Sequence, residues 1–248
     1  TWKKTQTVYV DYDDDHSGLA GNEYCWSTST SACSTPTTNT SASFNTSQST
    51  TGKWYLVSRA YDKAGNYSSW KASGQYYVDY TSPSTPTFSS TSDTTWRQSK
   101  TITLSANDTQ TYSTQSGVGG YYYCTTTSSS GCTPGTYTSG TITLSGITGK
   151  YYVSAYTYDK SSSANNSTKV TKGPYYMDNT APSAPSFSPN GDTTWRQSKT
   201  VTLSSSDTVT YSTQSGVGGY YYCITTSSSG CTPGTYTSGS VTISGSTK

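Results

Sequence analysis

Histidine, glutamate and methionine occur once each, as His16, Glu23 and Met177. General acid–base chemistry therefore lacks its usual actors: neither a carboxylate pair nor a nucleophile with an adjacent base recurs along the chain, which reads as a non-enzyme. Only 11% of the 248 residues are charged and 29% hydrophobic, against roughly 25% and 45–50% in average globular domains. A thick aliphatic core is thus excluded, and small and aromatic residues must do the packing. A net charge of +2 and a pI of 8.1 give no electrostatic footprint for nucleic acid or a lipid surface. No apolar run approaches the length of a bilayer span, and the first residues do not form a basic-then-apolar leader.

Serine and threonine are abundant, with 48 and 50 residues, and 25 tyrosines bring the aromatic share to 14%. Low hydrophobicity without high net charge, relieved by that many rings, reads as a folded β-rich chain rather than a disordered one. The chain also repeats itself. Thr94 to Gly146 recurs as Thr193 to Gly245 with 45 of 53 positions identical, a period of 99. A more divergent copy begins at the first residue, where Trp2 matches Trp96 and Tyr24-Cys25 matches Tyr123-Cys124. Paired prolines at Pro83/Pro86 and Pro182/Pro185 make stiff extended hinges. They set three expected domains: 1–80, lacking its first strand; 81–179, complete; and 180–248, lacking its last strands.

Apolar residues alternate with polar ones in Ile102/Leu104, Val201/Leu203 and Ile142/Leu144, which is strand periodicity. No ten-residue window shows helical spacing. Copy two offers seven strands: Thr85 to Ser89, Lys100 to Ala106, Gly119 to Thr126, Thr133 to Thr138, Thr141 to Ser145, Lys150 to Asp159 and Pro174 to Asp178. Seven short strands in about a hundred residues predict a two-sheet sandwich. Along Lys150 to Asp159 the inward row is Tyr151, Val153, Ala155 and Thr157, and the outward row is Tyr152, Ser154, Tyr156 and Tyr158. The outward tyrosines either stabilise the strands by cross-strand pairing or form a binding face at Tyr152, Tyr156 and Tyr158.

The turn Asp62-Lys63-Ala64-Gly65-Asn66, the junction Asp178-Asn179-Thr180-Ala181-Pro182 and the run Ser116-Gly117-Val118 before Tyr123-Cys124 resemble tandem bacterial immunoglobulin-like repeats of large surface proteins and adhesins. The resemblance covers the whole chain; copy two departs from it, carrying Asp159-Lys160-Ser161-Ser162-Ser163 at the turn. It implies an all-β rod of tandem Ig-like antiparallel β-sandwich domains, outside a bacterial envelope. It also implies that calcium can sit near junctions, where Asp62 or Asp159 would meet Asp79 or Asp178 and Asp93 or Asp192. Otherwise no cofactor is expected. The carboxylate shared by all copies, at Asp14, Asp108 and Asp207, reads instead as local turn capping.

The cysteines fall in matched pairs, Cys25/Cys33, Cys124/Cys132 and Cys223/Cys231. A local hairpin disulfide in each copy is the leading expectation, with free thiols or a metal or redox site as alternatives. The single histidine leaves no four-ligand zinc set within a copy. Disulfides imply a secreted or cell-surface location. Lys100 and Lys199 are remote candidates for side-chain cross-links, and Trp96 is expected to open the second strand and seal the sandwich end against its neighbour. The leading function is a structural stalk or adhesin segment. A subunit of a polymeric fibre or sheath and a carbohydrate-binding accessory module are the alternatives. Expected partners are neighbouring repeats of the same polypeptide, other copies in a fibre, or a host protein or glycan. The third copy stops at Lys248, which by the 99-residue period falls at the place of Gly149, next to Lys150. Continuation with a sequence resembling Tyr151 to Asp178, or strands from a neighbouring chain, is expected to cover Val201, Leu203 and Ile224.

Overall fold

The computed structural model describes residues 1–108, 116–207 and 215–245, and among these every regular element is a strand. Copy one contains β1 (Trp2–Lys3), β2 (Gln6–Asp11), β3 (Leu19–Ser27), β4 (Thr37–Asn39), β5 (Ser43–Gln48), β6 (Gly52–Asp62), β7 (Lys71–Ala72) and β8 (Tyr76–Val78). Copy two contains β9 (Thr87–Phe88), β10 (Asp93–Arg97), β11 (Ser99–Ser105), β12 (Val118–Thr126), β13 (Thr136–Thr138), β14 (Thr141–Ser145), β15 (Gly149–Asp159) and β16 (Val170–Met177). In copy three are β17 (Ser186–Ser188), β18 (Ser198–Ser204), β19 (Tyr220–Tyr222), β20 (Thr235–Thr237) and β21 (Ser240–Ser244). All strand pairing runs within a copy. In copy two the sheet β10-β16-β15-β12-β13 faces the sheet β14-β11-β9; in copy one β1-β8-β6-β3-β4, with β7 on β6, accompanies β2-β5.

Alternation decides which side chains enter the core of copy two. Ile102 and Leu104 of β11 and Ile142 and Leu144 of β14 point inward, with Ile102 directly opposite Ile142. They meet Tyr121, Val153, Ala155, Tyr175 and Met177 from the other sheet, and Phe88 closes one edge. Each fully buried aliphatic side chain contributes about 1.5–3 kcal/mol. Tyr175 is wholly buried; its hydroxyl donates to the Ser90 carbonyl, and burial pushes its pKa up to about 12.

Three features depart from the strand pattern read in the sequence. β10 was not expected, because Trp96 is its one apolar residue and no alternation marks it. It crosses to the larger sheet and pairs in parallel with β16, and Trp96 packs on Tyr176 at 5.0 Å within the same copy rather than against a neighbour. Trp2 does likewise with Tyr77 at 5.2 Å. β16 begins at Val170, four residues before Pro174, because the register shift between Tyr151 and Val153 accommodates Gly173-Pro174 as a bulge. Finally, the strand expected from Thr133 shrinks to Thr136–Thr138, since Cys132 is tied back to Cys124. In copy three Leu203 is buried while Val201 is partly covered and Ile224 exposed. Phe187 is 52% exposed where its counterpart Phe88 is 6%, and Trp195 is 99% exposed.

Each cysteine pair forms the expected disulfide: Cys25–Cys33, Cys124–Cys132 and Cys223–Cys231, with Cα–Cα distances of 5.9, 6.1 and 6.2 Å. Closing so short a loop contributes about 2 to 3 kcal/mol by chain entropy.

Candidate functional site

Two arrangements stand out, one between copies and one on the outer face. The first is built from the residue after β8 (Asp79), the turn after β11 (Asp108) and the last residue of β15 (Asp159). One oxygen from each lies within 4.8 Å of the others, and all three residues are buried. Asp159 Oδ1 accepts from the Ser161 amide (3.1 Å), the Ser161 hydroxyl (2.8 Å) and the Asn165 amide (2.9 Å), whereas Oδ2 accepts a single bond, from Asn165 Nδ2 (2.6 Å). Asn165 Nδ2 also donates to the Asp79 carbonyl at 2.8 Å, so the turn of copy two grips the end of copy one. The Ser162 amide adds a bond to the Trp2 carbonyl at 3.0 Å.

Asp79 Oδ1 accepts from the Thr81 amide at 3.1 Å. A single hydroxyl, that of Ser116, serves both Asp108 Oδ2 (3.0 Å) and Asp79 Oδ2. Among the described residues Asp108 Oδ1 is buried with no hydrogen-bond partner. Among the described residues no lysine or arginine forms an ion pair with any of the three. Burial raises the pKa of Asp108, the Ser116 hydroxyl opposes that rise, and the charges of Asp79 and Asp159 add to it. Uncompensated buried carboxylates cost several kcal/mol per ion. A hard divalent cation meets this donor set in kind, because calcium takes several oxygen ligands and Asp108 Oδ1 has no partner among the described residues.

The other copies hold parts of the same arrangement. At the second junction Ser215 joins Asp207 Oδ2 (2.6 Å) to Asp178 Oδ2, and among the described residues Asp207 Oδ1 again has no partner. In copy one the Ser17 hydroxyl donates to Asp14 Oδ2 at 3.3 Å. There Asp62 is only half-buried and bonded to Asn66, whose side chain and amide hold its carboxyl down to about 2. Of the calcium candidates read from the sequence, Asp79 and Asp159 come together. Asp93 and Asp192 do not: Asp93 accepts from Lys100 (2.8 Å) and Arg97 (2.7 Å), and Asp192 from Lys199 (2.6 Å) and Arg196 (3.1 Å). Their place is taken by Asp108 and Asp207. The signal that could have found them is the Asp paired with a Ser-Gly in every copy, at Asp14/Ser17, Asp108/Ser116 and Asp207/Ser215.

The second arrangement is aromatic. Tyr156 and Tyr158 of the outward row lie against Tyr122, with ring centroids 5.5 and 5.3 Å apart. Tyr137 joins them from β13, 6.2 Å from Tyr122. Tyr152 packs apart, beside Gly173, and Ser154 is buried, bonded to Thr171 and the Cys132 amide. In copy one Glu23 and Arg59 replace Tyr122 and Tyr156, and the Arg59 guanidinium lies over Tyr67 (4.2 Å) and Trp70 (4.6 Å). Glu23 is thus engaged in an ion pair, and His16 is exposed in a loop.

The three disulfides suit an oxidising, extracytoplasmic compartment. No family model and no curated protein matches the sequence. Among solved structures the chain is similar to the fibronectin(III)-like modules of Clostridium thermocellum CbhA, at 12% identity and a TM-score of 0.35. That match covers 71% of this chain and 87% of that one.

Proposed function

We propose that the chain is a non-enzymatic extracellular stalk segment of a repetitive bacterial surface protein, with calcium closing the junction between its copies. The observation that carries this reading is the seat of Asp79. It lies at the end of copy one, four residues before Pro83, yet its side chain is held by Ser116 and its carbonyl by Asn165, both from copy two. Asp79, Asp108 and Asp159 would supply the oxygen ligands, and the cation's charge would offset carboxylates that otherwise repel one another. A hinge stiffened in this way suits a spacer, which must hold its two ends apart. The three domains follow the repeat boundaries at the proline pairs.

Limited proteolysis of the chain in calcium and in chelator tests the reading. Cleavage within the linker, residues 80 to 86, should slow markedly in calcium while cleavage elsewhere is unchanged. Equal linker cleavage in both buffers would overturn it.

A further inference from the structure

The outer face of copy two carries four tyrosines on three neighbouring strands. Tyr137 on β13, Tyr122 on β12 and Tyr156 on β15 share one register row, and Tyr158 stands two residues further along β15. β13 and β15 are not neighbours, because β12 runs between them. Two strand spacings, about 10 Å, therefore separate the backbones that carry Tyr137 and Tyr158. Their ring centroids nevertheless lie only 6.4 Å apart. The reason is underneath them. A Cβ at Gly119 would lie 2.5 Å from the Tyr158 ring, and one at Gly120 would lie 2.7 Å from the Tyr137 ring. The glycine pair makes a trough in β12 across which the two phenols reach each other. Tyr122 touches both rings, and Tyr137, 53% exposed, opens the cluster to solvent.

Copy one cannot build this cluster, since Thr38, Glu23 and Arg59 hold the places of Tyr137, Tyr122 and Tyr156. Copy three keeps Tyr221 and Tyr236 in contact at 5.9 Å, both largely exposed. Four phenols linked through Tyr122 in a disulfide-bearing chain form a site where one-electron oxidation can be passed between rings and captured.

We propose that Tyr137 and Tyr158 form an oxidative cross-linking site, at which a haem peroxidase using hydrogen peroxide closes a dityrosine that staples β13 to β15 across β12. Each phenol loses one electron and its hydroxyl proton. The two electrons and two protons reduce one hydrogen peroxide to two waters. The paired phenoxyl radicals form one carbon–carbon bond between ring carbons ortho to the oxygens. The hydrogen on each of those carbons then moves to its oxygen, which restores both hydroxyls. Oxidation enters at the exposed Tyr137, and Tyr122 relays the second oxidation to Tyr158.

The test is to treat the whole chain with peroxidase and hydrogen peroxide at low protein concentration, isolate the monomer, and measure dityrosine fluorescence. Digestion, reduction and mass spectrometry then locate the link. The monomer should yield a peptide pair containing Tyr137 and Tyr158, lighter than the sum of its parts by two hydrogens. Tyr137→Phe and Tyr158→Phe should each abolish that peptide pair, whatever dityrosine forms between other contacting rings such as Tyr221 and Tyr236. Both retain the ring that packs, and intact disulfide mapping confirms that each has folded. Tyr80→Phe, an exposed ring outside the cluster, should leave the signal unchanged. Dityrosine confined to covalent dimers, or a monomer digest in which Tyr137 is joined to a tyrosine other than Tyr158 or to none, would overturn the proposal.

Discussion

Asp108→Asn isolates the charge at the junction while preserving its shape. Asp108 is 5% exposed and bonded through Oδ2 to Ser116, and its Oδ1 has no partner among the described residues. Asparagine keeps an acceptor for the serine and removes one of three crowded negative charges. Without calcium, then, the variant should be no less stable than the parent, because the burial of charge and, after it, the repulsion from Asp79 and Asp159 that raise the Asp108 pKa are relieved. With calcium the order should reverse. At free calcium a hundredfold above its Kd, the parent gains about 2.7 kcal/mol. In a domain of about 100 residues, where 1 kcal/mol moves the midpoint by about 4–8 °C, that is a rise of about 10–20 °C. Losing one of three carboxylate ligands should weaken binding at least tenfold, so about 1.4 kcal/mol of that gain disappears at the same calcium concentration. Calorimetric melting of parent and variant, each in calcium and in chelator, gives the four midpoints required. An equal calcium shift in both proteins, or none in the parent, would refute the reasoning.

Two further expectations concern the rest of the frame. Replacing Cys124 and Cys132 together by serine should lower the unfolding free energy of copy two by about 2 to 3 kcal/mol, read from the urea midpoint at constant slope; an unchanged midpoint would mean that the hairpin is held without its bridge. Asp93 is held well below the usual carboxylate range, first by Lys100 and then by Arg97 against some desolvation. Its folded pKa is depressed, so its contribution, about 1 kcal/mol for a partly exposed network, is present above about pH 4 and is lost as pH falls toward the folded value. Asp93→Asn should accordingly lower stability at neutral pH and flatten the acid limb of the stability curve, and an unaltered acid limb would count against the ion pair.

The repeats, the period-two alternation and the cysteine spacing made the β architecture and the disulfides legible, because each is a local pattern. Ile102, Leu104, Ile142, Leu144 and Val153 could be placed inward by alternation alone, and they are. β10 was illegible for the opposite reason. Asp93–Arg97 has no alternation, and a partner about 80 residues away decides its conformation. The junction failed for a similar cause. Asp108 looks like a turn residue within its own copy, and only the arrival of Asp79 from the preceding one makes it part of a cluster. The tyrosine face was half visible: alternation put Tyr156 and Tyr158 outward, but the glycine trough that brings Tyr137 across to them depends on register between strands.

Asp79 belongs to one copy, whereas Asp108 and Asp159 belong to the next. A cation that uses all three is bound only while the two copies are seated together, so occupancy and docking are two readings of a single equilibrium. Whatever factor the cation adds to docking, docking must return to cation affinity. Tension that separates the copies would therefore release the cation, and a fall in outside calcium would loosen the hinge without any residue being modified. The joint would act as a compliance set by the surrounding medium, stiff in calcium-rich fluid and slack where calcium is scarce.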